Sequence, residues 1–479
     1  MINEKKSYGI YLGALIFVVV LLIPTPAGMN ESAHIVAATT LLMATWWISE
    51  ALPFAITALI PVCFFPLFGV MDVGQVTPAY ANHIVFLFLS GFIFALCIER
   101  WQLHQRIALH AINFFGFSHR KILLGIMVST AFLSMWVSNT ATVLMMIPVV
   151  VAVAKQLSPT SPSLVLSNQS SFSVSLLLGV AYSASIGGVA TLIGTPPNAI
   201  LAGMLEQQTG IEISFYDWMV FALPLASIFL LLTWLYLSWH MRNASTAELL
   251  LGKEVLVNEL KKLAPLSYEE KFVASVFLTV CFFWIVRGFI DIELLKNIND
   301  STIGLIGAVI LFVIPARNGS ERLMDWNTTK KVPWEILILF GGGFALASGF
   351  EHTELTQWLA LKFHFLHDVS LILVIFTIVL FVVFLTEITS NTATATLLIP
   401  LMIALSQSLS VPPVMLAAAV AIATSYAFML PVATPPNAIV FGTGFVPIKK
   451  MFLTGFWLNI IGSVLITLFV VILLPLIFL

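Results

Sequence analysis

Charge is what this chain has least of. Lysine and arginine number 21 and aspartate and glutamate 23, together 9 % of 479 residues, where a soluble domain carries roughly 25 %. With 59 % hydrophobic residues, that shortage excludes an ordinary water-soluble domain, and most stretches are apolar enough to cross a bilayer. A net charge of −2 excludes a basic nucleic-acid-binding face. Cysteine is scarce too. Cys63, Cys97 and Cys281 lie apart in apolar segments without CxxC spacing, and read as small buried hydrophobes rather than a disulfide or zinc framework. The nine histidines form no HExxH pair or ligand cluster, and the chain has no phosphate loop and no nucleophile–base–orienter set. An intramembrane enzyme would need such a constellation.

What is present is long apolar sequence broken by polar motifs that occur twice. Ser138-Asn139-Thr140 lies inside WVSNTATVLMMIP and Ser390-Asn391-Thr392 inside ITSNTATATLLIP. GTPPNAI spans Gly194–Ile200 and ATPPNAI spans Ala433–Ile439. Polar groups at membrane depth are costly and usually mark a substrate or ion path. Helix-breaking elements are tolerated there only where protein or a water-filled cavity covers the freed backbone. Two matched pairs of breaks are the pattern of a transporter built from internal repeats.

Hydropathy places spans at about 8–27, 34–50, 52–71, 83–105, 169–206, 215–241, 268–289, 300–316, 334–358, 411–444 and 450–478. The first follows Lys5 and Lys6 without a convincing cleavage site, so it reads as a transmembrane helix rather than a signal peptide. The segments 121–156 and 368–408, with Ser-Asn-Thr near their middles, read as re-entrant hairpins. With the N-terminus inside, only Arg287, Lys296 and Lys362 of the 21 Lys and Arg fall outside, as the positive-inside rule asks. Full crossings by the hairpins would destroy that bias. Between Met241 and Lys271 lies the main charged linker, which reads as an amphipathic helix with a solvated face.

The two halves share one register. Gly91/Gly343, Glu99/Glu351, Ser134/Thr386, Ser138/Ser390, Thr142/Thr394 and Pro148/Pro400 are all separated by one and the same offset, and the PPN pair, Pro196/Pro435, by a slightly shorter one. The shorter offset fits extra loop around SPTSPSLVLSNQSS in the first half. Five crossings and one hairpin per half, an odd number, force the halves into opposite orientations. The expected fold is therefore an all-α integral membrane protein: 11 transmembrane helices plus two re-entrant hairpins, in two inverted-topology repeats with discontinuous helices. Its parts are an N-terminal helix (1–33), a first repeat with an inward-opening hairpin (34–241), a cytoplasmic linker (242–267) and a second repeat with an outward-opening hairpin (268–479). Inverted hairpins meeting near the midplane suit alternating access rather than an open channel.

The paired motifs suit one anion between two cations. Free N–H groups and the positive dipole end of a half-helix can face a carboxylate. Hard cations take oxygen ligands. Ser134, Ser138 and the Asn139 amide supply them in the first half, with carbonyls freed at the Gly194 break. Thr386, Ser390 and Asn391 supply them in the second, with the break at Ala433. No Lys or Arg lies in either tip or PPN motif, so bound cations would have to offset a dianion's charge. A lone Ser-Asn-Thr would read as backbone-bonded polar side chains; two in register with two PPN breaks read as a site. Glu387 reads as a buried structural acid or a hydrogen-bonded hairpin anchor ahead of a proton carrier. Glu99 and Glu351 belong near helix ends, paired with basic groups or water.

The residues resemble the divalent anion:sodium symporter family, from TWWISEALPFAITALIP through both Ser-Asn-Thr hairpins to the last helix. The resemblance implies a homodimer with a fixed scaffold and a moving transport domain, in the bacterial cytoplasmic (inner) membrane; the charge bias puts the N-terminus on the cytoplasmic side and the C-terminus outside. It places substrate contacts on Asn139, Thr140, Asn391, Thr392, Thr434 and Pro435. It places one Na+ site on Ser134, Ser138, Asn139 and Gly194, and a second on Thr386, Asn391 and Ala433. The expected activity is sodium-coupled symport of C4-dicarboxylates such as succinate, malate or fumarate. The alternative is a di- or tricarboxylate exchanger, citrate or 2-oxoglutarate against succinate.

Overall fold

Proline, glycine and capping side chains cut the apolar runs into helices. The computed structural model describes residues 4–116, 118–156, 171–241, 261, 263–289, 298–317, 319 and 321–478. In the N-terminal part these form α1 (Glu4–Leu22), α2 (Glu31–Ile48), α3 (Phe54–Ala58), α4 (Ile60–Leu67), α5 (Val73–Val76), α6 (His83–Arg100), α7 (Leu103–Phe115), α8 (His119–Ser134), α9 (Asn139–Gln156), α10 (Ser171–Val189), α11 (Pro196–Thr209) and α12 (Phe215–His240). There follow α13 (Tyr268–Phe289), α14 (Asp300–Val313), α15 (Trp326–Thr329), α16 (Trp334–His352), α17 (Leu355–Lys362), α18 (Leu371–Thr386), α19 (Asn391–Ser408), α20 (Pro413–Ser425), α21 (Pro435–Gly442), α22 (Ile448–Ile472) and α23 (Leu474–Phe478). Among the described residues there is no strand, only an isolated bridge between Pro315 and Arg322. The loop expected around 157–170, most of the charged linker and Lys296 lie outside the described residues.

Among the described residues, six helical stretches are long and apolar enough to cross a membrane, including Ser171–Val189, Phe215–Trp239 and Trp334–His352. Large apolar side chains are exposed on the outer elements, such as Leu15 on α1, Leu235 on α12, Leu278 and Phe282 on α13 and Ile472 on α22. α10 and α20 are the opposite case: every residue from Phe172 to Val189 and from Val414 to Ser425 is buried. An element apolar on all sides belongs at the centre of a bundle.

Three expected spans are corrected. The span 83–105 is two elements, because α6 stops at Arg100 and Gln102 turns the chain with φ 55°. The span 334–358 ends at His352, and Glu354 turns with φ 57° before α17. These two left-handed turns occupy equivalent positions in the two halves, in the register of the Ser-Asn-Thr pair. The chain turns because α7 (LHQRIALHAINFF) is amphipathic and its Arg106 reaches Glu270 at 2.8 Å and the Ala264 carbonyl at 2.7 Å. The span 52–71 breaks at Leu59, since Pro61 has no N–H to continue the ladder. Tyr80 Oη donates to the freed Ala58 carbonyl at 2.5 Å.

Helix boundaries follow the same register. α7, α8 and α9 begin at Leu103, His119 and Asn139, and their equivalents α17, α18 and α19 begin at Leu355, Leu371 and Asn391, with one constant offset. α11 and α21 begin at Pro196 and Pro435, in the shorter offset of the PPN pair. Packing repeats too: α9 and α10 lie on α21, while α19 and α20 lie on α11. The discontinuous helices of each half are thus packed against those of the other.

Candidate functional site

Each Ser-Asn-Thr motif starts a helix. Ser138 caps α9, its Oγ accepting from Ala141 N at 3.4 Å; Ser390 caps α19, accepting from Ala393 N at 3.5 Å. The first intrahelical bonds run from Thr142 N to the Ser138 carbonyl and from Thr394 N to the Ser390 carbonyl, both 2.9 Å. The N–H groups of Asn139 and Thr140, and of Asn391 and Thr392, therefore precede the ladder, as at any helix start. All four residues are half-buried.

Behind each tip, oxygen atoms converge. Ser134 Oγ lies 2.6 Å from Asn139 Oδ1 and 2.7 Å from the Ala184 carbonyl. Thr386 Oγ1 lies 2.7 Å from Asn391 Oδ1 and 3.1 Å from the Thr424 carbonyl. Ser134 and Thr386 are fully buried. A hydroxyl has one proton, so it cannot donate to both neighbours at once. Each cluster holds more acceptor oxygen than its proton can satisfy, a donor set that suits a hard cation. Gly194 joins the first cluster. An added Cβ on Gly188 would overlap Asn139 Oδ1 and come within 3.0 Å of the Gly194 carbonyl oxygen, so both oxygens face one spot. In the second half Ala433 is buried and its N–H donates to the Leu430 carbonyl at 3.2 Å.

Thr434 is the N-cap of α21, extended at φ −144°, its Oγ1 accepting from Asn437 N at 3.4 Å; Pro435 follows at the helix start and is exposed. α9 packs on α21, the helix that Thr434 caps and Pro435 begins. Thr195 is the counterpart of Thr434 and was absent from the predicted site. It lies 3.5 Å from Ser425 Oγ, a contact that crosses between halves.

The halves differ at one point. Glu387, counterpart of Met135, accepts from Phe428 N at 2.7 Å, Met429 N at 2.9 Å, Leu430 N at 3.0 Å and Asn459 Nδ2 at 2.8 Å. α20 ends at Ser425, short of Phe428, which corresponds to Val189 at the end of α10. The carboxylate takes up the N–H groups left by that earlier unwinding. It is a buried, hydrogen-bonded structural acid, one of the two structural readings the sequence put ahead of a proton carrier. In the first half Thr191 Oγ1 instead donates to the Met135 carbonyl and accepts from Gly194 N at 3.1 Å. Asn459, Thr191 and the asparagines of both PPN motifs were not singled out as side chains. Only the doubling of PPN carried a signal for the latter pair.

Glu99 and Glu351 are exposed in the last turns of α6 and α16. Among the described residues, no group of three or more His, Cys, Asp or Glu is placed to hold a metal, so the oxygen clusters are built from hydroxyl, amide and carbonyl groups.

Comparison with known proteins gives three findings. The family described as "Sodium:sulfate symporter transmembrane region" matches residues 4–479. A sodium-dependent dicarboxylate transporter, SdcS, of Staphylococcus saprophyticus is 43% identical over 488 residues, covering 99% of this chain and 93% of the relative; SdcS of Staphylococcus aureus strain USA300 is 44% identical, with 99% and 94% covered. The crystal structure of the Alcanivorax borkumensis YdaH transporter is similar in fold, with TM-score 0.58 at 12% identity, over 97% of this chain and 98% of that one.

Proposed function

The chain belongs to the sodium:sulfate symporter family, and from that premise we propose that it is a secondary active transporter coupling sodium to the uptake of C4-dicarboxylates such as succinate, malate or fumarate. It is a transporter and not an enzyme. The observation that carries the reading is the pair of oxygen clusters, Ser134–Asn139–Ala184 and Thr386–Asn391–Thr424, repeated at matched positions. The relatives' description as sodium-dependent dicarboxylate transporters supports assigning cations to the clusters and carboxylates to the helix starts.

In this mechanism one sodium sits with Ser134, Ser138, Asn139 and Gly194, and another with Thr386, Ser390, Asn391 and Ala433. Each asparagine turns its amide oxygen to the cation. The N–H groups at the starts of α9 and α19 face the dianion, where the helix dipole favours negative charge. Thr140, Thr392, Thr434 and Pro435 line the anion space. The cations offset the dianion's charge, so sodium binds first and the anion follows. The finer architecture proposed is 11 crossings with two re-entrant hairpins in inverted repeats, divided at residues 33, 241 and 267. A homodimer in a bacterial inner membrane, N-terminus inside and C-terminus outside, completes the reading.

The test is uptake of labelled di- and tricarboxylates into proteoliposomes with and without a sodium gradient. Expected is succinate uptake that needs external sodium and no internal anion. Uptake that proceeds only against an internal carboxylate, indifferent to sodium, would establish the exchanger instead.

A further inference from the structure

The asparagine of each PPN motif is fully buried, and two of its contacts recur in both halves. Asn198 Nδ2 donates to the carbonyls of Thr191 at 2.8 Å and Val189 at 3.1 Å, with Gly188 at 3.5 Å. Asn437 Nδ2 donates to the carbonyls of Leu430 and Ala427, both at 3.1 Å. The register of the PPN pair that carries Asn198 to Asn437 also carries Gly188 to Ala427 and Thr191 to Leu430. The amide oxygens of Asn198 and Asn437 receive no hydrogen bond. The orientation of each amide is thus set by the carbonyls alone, because turning it over would put oxygen against oxygen.

The Gly188 and Val189 carbonyls belong to the last turn of α10, and those of Thr191, Ala427 and Leu430 to the unwound stretches beyond α10 and α20. The last carbonyls of a helix have no partner of their own, and prolines at 196, 197, 435 and 436 bring no N–H. The anchored residues in turn hold, by its N–H, the residue whose carbonyl is assigned to each cation. Thr191 accepts Gly194 N on its Oγ1 at 3.1 Å, while the Leu430 carbonyl accepts Ala433 N at 3.2 Å. Each chain of contacts runs from a PPN asparagine through residue 191 or 430 to residue 194 or 433.

We propose that Asn198 and Asn437 are positioning residues for sodium, one per site, which set the unwound segments so that the Gly194 and Ala433 carbonyls face their cations. Neither touches the dicarboxylate. The proposal rests on the transport reading above. It divides the PPN motif into two functions, in which the prolines break the helix and the asparagine fixes the shape of the break.

The test is sodium binding to purified protein, followed by thermal stabilisation across a sodium series at constant ionic strength, beside succinate KM in proteoliposomes at saturating sodium. Asn198→Ala and Asn437→Ala should each raise the sodium midpoint about tenfold or more, as loss of a group that orients a metal ligand does. Succinate KM at saturating sodium should stay near wild type. Folded variants with unchanged sodium midpoints, or with equal losses in succinate affinity at saturating sodium, overturn the proposal and leave symport standing. A wild-type protein indifferent to sodium overturns both. If the alanine variants do not fold, Asn198→Asp and Asn437→Asp decide. An ionised carboxylate repels the carbonyls, whereas a protonated one donates a single O–H. Their sodium midpoint should return toward wild type as pH falls, and a pH-independent midpoint overturns the proposal.

Discussion

Asn139 and Asn391 each contribute in two ways. Their Oδ1 atoms complete the oxygen clusters with Ser134 and Thr386, and their backbones open α9 and α19. Asn139→Ala and Asn391→Ala keep the helix start and remove the oxygen. Each is expected to abolish sodium-driven uptake in proteoliposomes while the purified protein remains folded; full transport in either variant would refute the shared site. A second residue acts far from the tips. The Thr328 N–H, 2.8 Å from Asp325 Oδ1, and then the Arg100 guanidinium, hold the Asp325 carboxyl below the ordinary carboxylate range. A depressed folded value contributes stability above the unfolded pKa of about 3.9, and that contribution is lost as pH falls through the folded value. Asp325→Asn should therefore lower the thermal midpoint at pH 7, and the gap to wild type should close below about pH 4. A gap of equal size at both pH values would show that charge is not involved.

Among the elements, the two broken helices solve one problem in two ways. α10 runs to Val189, and Thr191 ties its end to the Met135 carbonyl. α20 stops at Ser425, and Glu387 with Asn459 holds the unwound stretch. Glu387→Gln replaces one acceptor oxygen by an amide that faces donors. Leaving buried N–H groups unpaired costs roughly 1–3 kcal/mol, so a lower thermal midpoint in detergent is expected; an unchanged midpoint would show that another acceptor takes over. Close approach matters as much elsewhere. A Cβ on Gly342 of α16 would overlap the Ala58 carbonyl oxygen. That neighbour is backbone and cannot swing away, so Gly342→Ala should cost about 1–3 kcal/mol by overpacking, read in the same thermal assay.

For the molecule entire, the proposed orientation makes a labelling prediction. A cysteine at Lys330 in a Cys-free background should react from the inside and one at Lys362 from the outside; outer labelling at 330 would overturn the inverted arrangement. Coupling between sites is reciprocal, so succinate should tighten sodium binding as much as sodium tightens succinate. Calorimetry across a sodium series checks this, and a succinate affinity independent of sodium would refute symport.

That the chain is helical and membrane-embedded follows from its amino-acid order alone, because scarce charge and long apolar runs admit little else. So do the two registers, because doubled polar motifs in apolar surroundings stand out. The hairpin helices α8, α9, α18 and α19 were legible for that reason, as were the oxygen-bearing residues Ser134, Asn139, Thr386 and Asn391. Other features became visible only once the chain was folded. The turns at Gln102 and Glu354 follow from left-handed backbone at ordinary residues, which composition does not signal. Glu387 found its donors far along the chain, on the unwound end of α20, a pairing no local pattern contains. Asn198 and Asn437 were in view as letters of a motif. The role proposed for them depends on which carbonyls lie where the helices unwind, and that is settled by how α10 and α20 end against the helices packed around them.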